Sequence, residues 1–123
     1  MLTFELDGSE RKARIINLAD YAALREKIRR ERVEALGLHP ASEALAMTVS
    51  QPVSGPEFFD MVVGLEGQAF MLYRAVHAVD QTFTPELAER MVMEEHPFVM
   101  RLYVESKIFV NPTPATEESK EGS

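Results

Sequence analysis

The sequence predicts a mainly helical α+β fold with an N-terminal β-hairpin, a small helical domain and a polar C-terminal tail. Apolar and polar residues alternate only near the start of the chain, and apolar residues then recur at helical spacing as far as residue 110. The residues beyond that point offer nothing for a core to bury. We therefore predict one domain at 1–110, with its hairpin at 1–16 and its helices within 18–110, and a disordered tail at 111–123.

The hairpin is predicted from the pattern of its first strand and from its turn. Apolar and polar residues alternate from Leu2 to Leu6, which is typical of a half-buried strand. Asp7-Gly8 follows, and both residue types tolerate the positive φ angles of a tight turn. An extended run from Arg11 to Ile16 supplies the second strand. Because two strands alone are marginally stable, we expect the hairpin to pack on the helices or to pair with a neighbouring molecule.

The first helix is predicted to begin at Asn17, a favourable N-cap, and to end at Gly37. Asp20 lies in the first turn, where the helix dipole favours an acidic side chain. An apolar stripe then repeats at helical spacing through Tyr21, Leu24 and Ile28.

Three arginines lie on or beside this apolar stripe, and they are candidate partner-binding residues: Arg25, Arg29 and Arg32. They are compatible with a polar interface on the second half of the helix. The simpler alternative is that they are solvated arginines whose methylene stems cover apolar neighbours.

A proline-containing connector at 38–56, with a short helix predicted at Ala41–Val49, precedes the most apolar part of the chain. From Glu57 to Val79 apolar residues occupy nearly every side of a helix, so this segment must be buried in the core or against a partner. Gly64 and Gly67 allow either one long helix or two short ones. Three residues of the segment are candidate partner contacts: Phe58, Phe59 and Met71.

The last helices are predicted from their start signals. Thr84-Pro85-Glu86 combines a capping hydroxyl, a proline at the first helical position and an acidic residue. Pro97 either ends that helix or begins the next one. In the final helix an apolar face is predicted from Val99, Leu102, Tyr103 and Phe109.

Composition and motifs argue against an enzyme and against metal or cofactor binding. The chain has no cysteine and three widely spaced histidines. Glu94-Glu95-His96 is followed by Pro97, which prevents a regular helix from continuing through a metal site there. We find neither a phosphate-binding glycine loop nor a nucleophile elbow. We therefore expect no catalytic residue, no cofactor and no metal.

Charge and hydropathy give the expected location and partners. The formal net charge of −7 disfavours nonspecific binding to nucleic acid or anionic lipid. We recognise no signal peptide and no apolar run long enough to span a membrane, so a cytoplasmic protein is expected. Residues 1–36 carry eight basic and seven acidic side chains, whereas residues 37–110 carry four and ten. In a homo-oligomer, this asymmetry could steer one subunit's basic face toward the next subunit's acidic face, but ordinary solvated helix faces would give the same pattern.

Over residues 1–110 the layout resembles that of the small tail assembly chaperones of long-tailed bacteriophages. The resemblance rests on a hairpin, a helix start, a central segment and a helix entry, followed by a polar end after Val110. Their sequences are Phe4-Glu-Leu-Asp-Gly8, Asn17-Leu-Ala-Asp-Tyr-Ala-Ala-Leu-Arg25, Glu66-Gly-Gln-Ala-Phe-Met-Leu-Tyr-Arg74 and Thr82-Phe-Thr-Pro-Glu-Leu-Ala-Glu89.

The resemblance implies a non-enzymatic protein of the host cytoplasm that binds the tape measure protein and keeps it soluble until tail tube protein polymerises around it. Homo-oligomers are expected. Two alternatives remain open, a structural virion component such as a head-tail connector or tail-completion subunit, and a small regulatory module. The regulatory module would bind nucleic acid through Arg25, Arg29, Arg30 and Arg32.

Overall fold

A computed structural model, which describes residues 1–36 and 52–108, confirms the mainly helical α+β class with an N-terminal antiparallel hairpin. The described elements are β1 (Leu2–Leu6), β2 (Ser9–Ala13), α1 (Leu18–Leu36), α2 (Gly55–Val63), α3 (Leu65–His77), α4 (Pro85–Met93) and α5 (Pro97–Glu105). The predicted helix at Ala41–Val49, the helix end at Gly37, the position of Phe109 and the tail at 111–123 lie outside the described residues. Among the described helices, none is long and apolar enough to cross a membrane.

The hairpin turn is at Asp7-Gly8, as predicted, with φ angles of 54° and 82°. The second strand is Ser9–Ala13, so the prediction of Arg11 to Ile16 was wrong at both ends. A two-residue turn makes pairing start at Ser9, directly opposite Leu6. The chain leaves the sheet after Ala13 because the Arg14 N–H donates to the carbonyl of Ala75 in α3, at 3.0 Å.

One face of the hairpin packs against the helices. Phe4 is buried and stacks on Phe98 at a centroid separation of 4.2 Å. Arg11, on the same face, forms an ion pair of 2.8 Å with Asp80 in the loop that follows α3. The hairpin thus gains from the helices the support that an isolated two-stranded sheet lacks.

Helix α3 is the centre of the core. It contacts each of the four other described helices and strand β2. It is separated from α2 by a break at Gly64, so the apolar segment forms two helices rather than one. Met71 is 0% exposed within α3. The assignment of Met71 to a partner surface is therefore corrected to the core, because the side chain has no surface to offer.

The helix starts follow local chemistry. Ser54 caps α2 by accepting from the Glu57 N–H at 3.2 Å, and Thr84 caps α4 by accepting from the Leu87 N–H at 3.2 Å. Pro97 begins α5, which settles the choice that the sequence left open. The side-chain caps at Ser54 and Thr84 each stabilise their helix by about 1 kcal/mol.

The start of α1 contains a buried carboxylate. Asp20, which is 0% exposed, accepts from the backbone N–H of its N-cap Asn17 at 2.9 Å. It also accepts from both terminal nitrogens of Arg14, at 2.6 and 2.9 Å, and from Nε of Arg74 in α3, at 2.7 Å. Asp20 therefore ties the end of the hairpin, the start of α1 and the central helix together.

Candidate partner-binding surface

The structure brings two of the predicted partner-binding residues into contact where α1 crosses α2. The guanidinium carbon of Arg25 lies 4.8 Å from the centre of the Phe58 ring, a cation–π contact. Tyr21 meets the same ring edge-on at 5.8 Å. Phe58 is half-buried between the helices, whereas Arg25 is exposed. Phe58 therefore positions Arg25 at the surface and contributes only part of its own area to that surface.

Arg32 joins α1 to the start of α2. Its Nε donates to Glu57 at 3.1 Å, a second nitrogen pairs with the same carboxylate, and that nitrogen also donates to the Pro52 carbonyl at 3.1 Å. The hydrogen bond from Arg32 lowers the pKa of Glu57 below its ordinary value. Arg32 is thus engaged within the molecule, and its main action is to hold α2 against α1.

Arg29 and Arg30 occupy the same stretch of α1. Arg29 lies 3.6 Å from Glu26, a neighbour on its own helix, and is half-buried. Arg30 is exposed. The four arginines therefore differ in their surroundings, because two contact α2, one pairs within α1 and one faces solvent.

The outward face of α2 exposes apolar side chains. Phe59 is 57% exposed, and Val63, one helical turn later, is exposed along the same face. Leu65, just past the break at Gly64, is also exposed. Large apolar groups exposed one turn apart are what an amphipathic helix of a partner covers. We call Phe59, Val63 and Leu65 the α2 surface.

Behind the α2 surface, a cleft of about 460 Å³ lies between α1, α2 and α3. At its edge, Nζ of Lys27 lies 2.8 Å from Glu31 and 3.0 Å from Glu66, which joins α1 to α3. The hydrogen bond between the two carboxyl groups raises the pKa of Glu31 and lowers that of Glu66.

Sequence reasoning missed a second exposed apolar face on α5. Met100 and Val104, one turn apart, are 57% and 59% exposed. The prediction concentrated on the buried face of this helix, which contains Val99, Leu102 and Tyr103. A signal was present, since Pro97–Glu105 is apolar on more sides than one buried face requires.

Two histidines have structural contacts that account for their positions. His96 caps α5 by accepting at Nδ1 from the Phe98 N–H at 3.1 Å, and its Nε2 donates to the Glu5 carbonyl at 2.8 Å. His77 stacks on Tyr73 and donates from Nδ1 to the Phe83 carbonyl at 3.1 Å. Within residues 1–36 and 52–108, no three metal-ligating side chains lie together.

Comparison with known proteins assigns no family to these features. The chain matches no protein-family model, and neither a curated protein nor a solved structure shows significant similarity to it.

Proposed function

We propose that this protein is a non-enzymatic tail assembly chaperone of a long-tailed bacteriophage. In the host cytoplasm it binds the tape measure protein, keeps it soluble and releases it as tail tube protein polymerises. The single observation that carries the proposal is the exposed apolar α2 surface on a small helical domain. The tape measure protein is proposed as the client because the layout of residues 1–110 resembles that of tail assembly chaperones.

The chemistry of the surface suits a helical client. A tape measure protein is long, helical and prone to aggregate, so a chaperone has to cover apolar stripes along it. Exposed groups one turn apart on α2, and again on α5, match the spacing of such stripes. Several weak contacts along a repetitive client add up through avidity, which favours a chaperone that self-associates. We therefore include homo-oligomers in the proposal.

Two of the arginines have different roles in this proposal. Arg25 is exposed beside Phe58 and is positioned to contact acidic or polar groups that flank an apolar stripe on the client. Because Arg32 is engaged with Glu57, we assign it to holding α2 in place. This division gives the nucleic-acid alternative, which needs all four arginines free for phosphates, no support.

Replacing Phe59 with glutamate is expected to abolish most client binding without unfolding the protein. The side chain is largely exposed, so a charge there costs little stability but places a carboxylate where an apolar stripe must dock. The measurement is co-expression with a helical fragment of the tape measure protein that the proposal expects to be encoded near this chain. The readout is the soluble fraction of that fragment, with circular dichroism of the variant as the folding check.

Met93→Glu is the matched control, because Met93 is even more exposed but lies on α4, away from the α2 surface. It should keep the client soluble as well as the unchanged chain does. Equal loss with both variants, or none with either, would contradict the assignment of binding to α2. Stoichiometric copies of the protein in purified virions would favour a structural component over a chaperone.

A further inference from the structure

The two edges of the hairpin differ in how many of their backbone groups are hydrogen-bonded. With Asp7-Gly8 as a two-residue turn, Leu6 and Ser9 form a hydrogen-bonded pair. Hydrogen-bonded and non-hydrogen-bonded pairs alternate from there, so Glu5↔Glu10 and Thr3↔Lys12 are non-hydrogen-bonded. The backbone N–H and C=O groups of these four residues therefore point away from the hairpin, toward the two edges of the sheet.

On the β1 edge, the two outward carbonyls accept hydrogen bonds from α5 and its cap. Arg101 donates to the carbonyl of Thr3 at 2.7 Å, and His96 Nε2 donates to the carbonyl of Glu5 at 2.8 Å. Both outward carbonyls of β1 are thus occupied. With these two carbonyls occupied, another strand would gain fewer main-chain hydrogen bonds on the β1 edge than on an open edge.

The β2 edge has fewer of its outward backbone groups hydrogen-bonded than the β1 edge. Its last outward N–H, that of Arg14, is taken by Ala75. Glu10 and Lys12 are exposed, and their outward backbone groups have no hydrogen-bond partner among the described residues. An open strand edge of this kind pairs with another strand through main-chain hydrogen bonds.

The charges on this edge are self-complementary. In an antiparallel pairing of two β2 strands centred on Arg11, Glu10 of each copy lies opposite Lys12 of the other. These are also the residues whose backbone groups point outward, so the main-chain bonds and the charge pairs fall at the same positions. Opposite charges at cross-strand positions stabilise a sheet, and the symmetry makes the pair form twice.

Two further observations agree with this register. Glu5 and Glu10 are like charges directly opposite each other in the hairpin, which is unfavourable, and a lysine from a second copy beside Glu10 offsets the repulsion. The two Arg11 residues meet at the centre of the pairing. Each is neutralised by its own Asp80 at 2.8 Å on the side that faces the helices.

We propose that two copies of this chain join through their β2 edges, centred on Arg11, to form a four-stranded antiparallel sheet. The proposal rests on the proposed function only in that it specifies how the expected homo-oligomer forms. A pairing of two short strands buries less area than a stable dimer requires, so the association is expected to depend on protein concentration.

Charge exchange tests both the interface and its register. Glu10→Lys places lysines opposite lysines, and Lys12→Glu places glutamates opposite glutamates, so each single variant should sediment as a monomer where the unchanged chain associates. The double variant Glu10→Lys/Lys12→Glu restores opposite charges at the same positions and should recover association. Glu105→Lys and Lys107→Glu, exposed charge changes at the end of α5, are the matched controls and should leave association unchanged.

A monomeric unchanged chain at every concentration, single variants that associate normally, or a double variant that stays monomeric would each overturn the proposal. Circular dichroism should show all variants folded, because the altered side chains are exposed. The co-expression assay with the Phe59 variant reports on client binding separately. An unchanged chain that associates but does not keep the client soluble would contradict the chaperone function alone, and failed charge rescue with intact client binding would contradict the β2 interface alone.

Discussion

Replacing Asp20 with alanine is expected to lower the free energy of unfolding by about 3 kcal/mol. The carboxylate is fully buried and accepts hydrogen bonds from Arg14, from Arg74 and from the backbone of Asn17. Its removal leaves two guanidinium groups without their counterion and the Asn17 backbone N–H without its acceptor. Because both arginines keep some access to water, we place the loss at the low end of the range for broken buried ion pairs. Urea unfolding followed by circular dichroism measures it.

Asp60→Ala is the control for this substitution, because Asp60 is an exposed aspartate on α2. Its effect should stay within about 0.5 kcal/mol. Similar unfolding midpoints for the Asp20 and Asp60 variants would contradict the role of Asp20 in joining the hairpin, α1 and α3.

The same carboxylate gives the protein an acid-sensitive component of stability. Burial by itself raises the pKa of Asp20, but the hydrogen bonds from Arg14, Asn17 and Arg74 outweigh it and hold that pKa below its ordinary value. In the unfolded chain the pKa returns to about 3.9, so the unfolded state binds the proton first. The contribution of Asp20 is therefore complete above that pH and is lost as the pH falls through the lower folded value.

Comparing the pH dependence of unfolding in the unchanged chain and in Asp20→Asn isolates this contribution. The difference in the free energy of unfolding between them should be constant near neutral pH and should shrink below about pH 4. A difference that does not change in acid would show that Asp20 titrates alike in the folded and unfolded chains.

Sequence reasoning succeeded where the cause is local. The turn at Asp7-Gly8 and the caps at Asn17 and Thr84 depend on residues within a few positions of each other, and all three are present. The end of β2 depends on a contact between Arg14 and Ala75. The burial of Asp20 likewise depends on Arg74, from a different helix. Neither contact can be predicted from the spacing of residues in the local sequence.

The exposed residues of the candidate surface were also not predictable from local sequence patterns. Between Glu57 and Val79 the sequence is apolar on nearly all sides, so no periodicity separates the side that faces the core from the side that faces solvent. Tertiary packing decides which side of each helix faces the core, and it buries Met71 while leaving Phe59 exposed. Arg25 and Phe58 were each identified as candidates, but their mutual contact depends on how α1 crosses α2.

Replacing Gly67 with alanine is expected to destabilise the fold by roughly 3 kcal/mol. A Cβ at this position in α3 would lie 1.7 Å from the carbonyl oxygen of Met61 and 2.5 Å from its carbonyl carbon. Those atoms belong to the backbone of α2, which cannot rotate away as a side chain does. The two helices would have to move apart, which opens the packing around Val62 and displaces the α2 surface that carries Phe59.

Gly55→Ala provides the matched control, because a Cβ at the first residue of α2 meets no atom within 4 Å. Alanine is the better helix former, so this variant should be unchanged or more stable by up to about 1 kcal/mol. The Gly67 variant should therefore unfold at a lower urea concentration than the unchanged chain, whereas the Gly55 variant should unfold at the same or a higher concentration. Equal midpoints for the two variants would mean that α2 and α3 are not in backbone contact at Gly67. Reduced client binding by the Gly67 variant, under conditions where it remains folded, would in turn show that the spacing of these two helices positions the α2 surface.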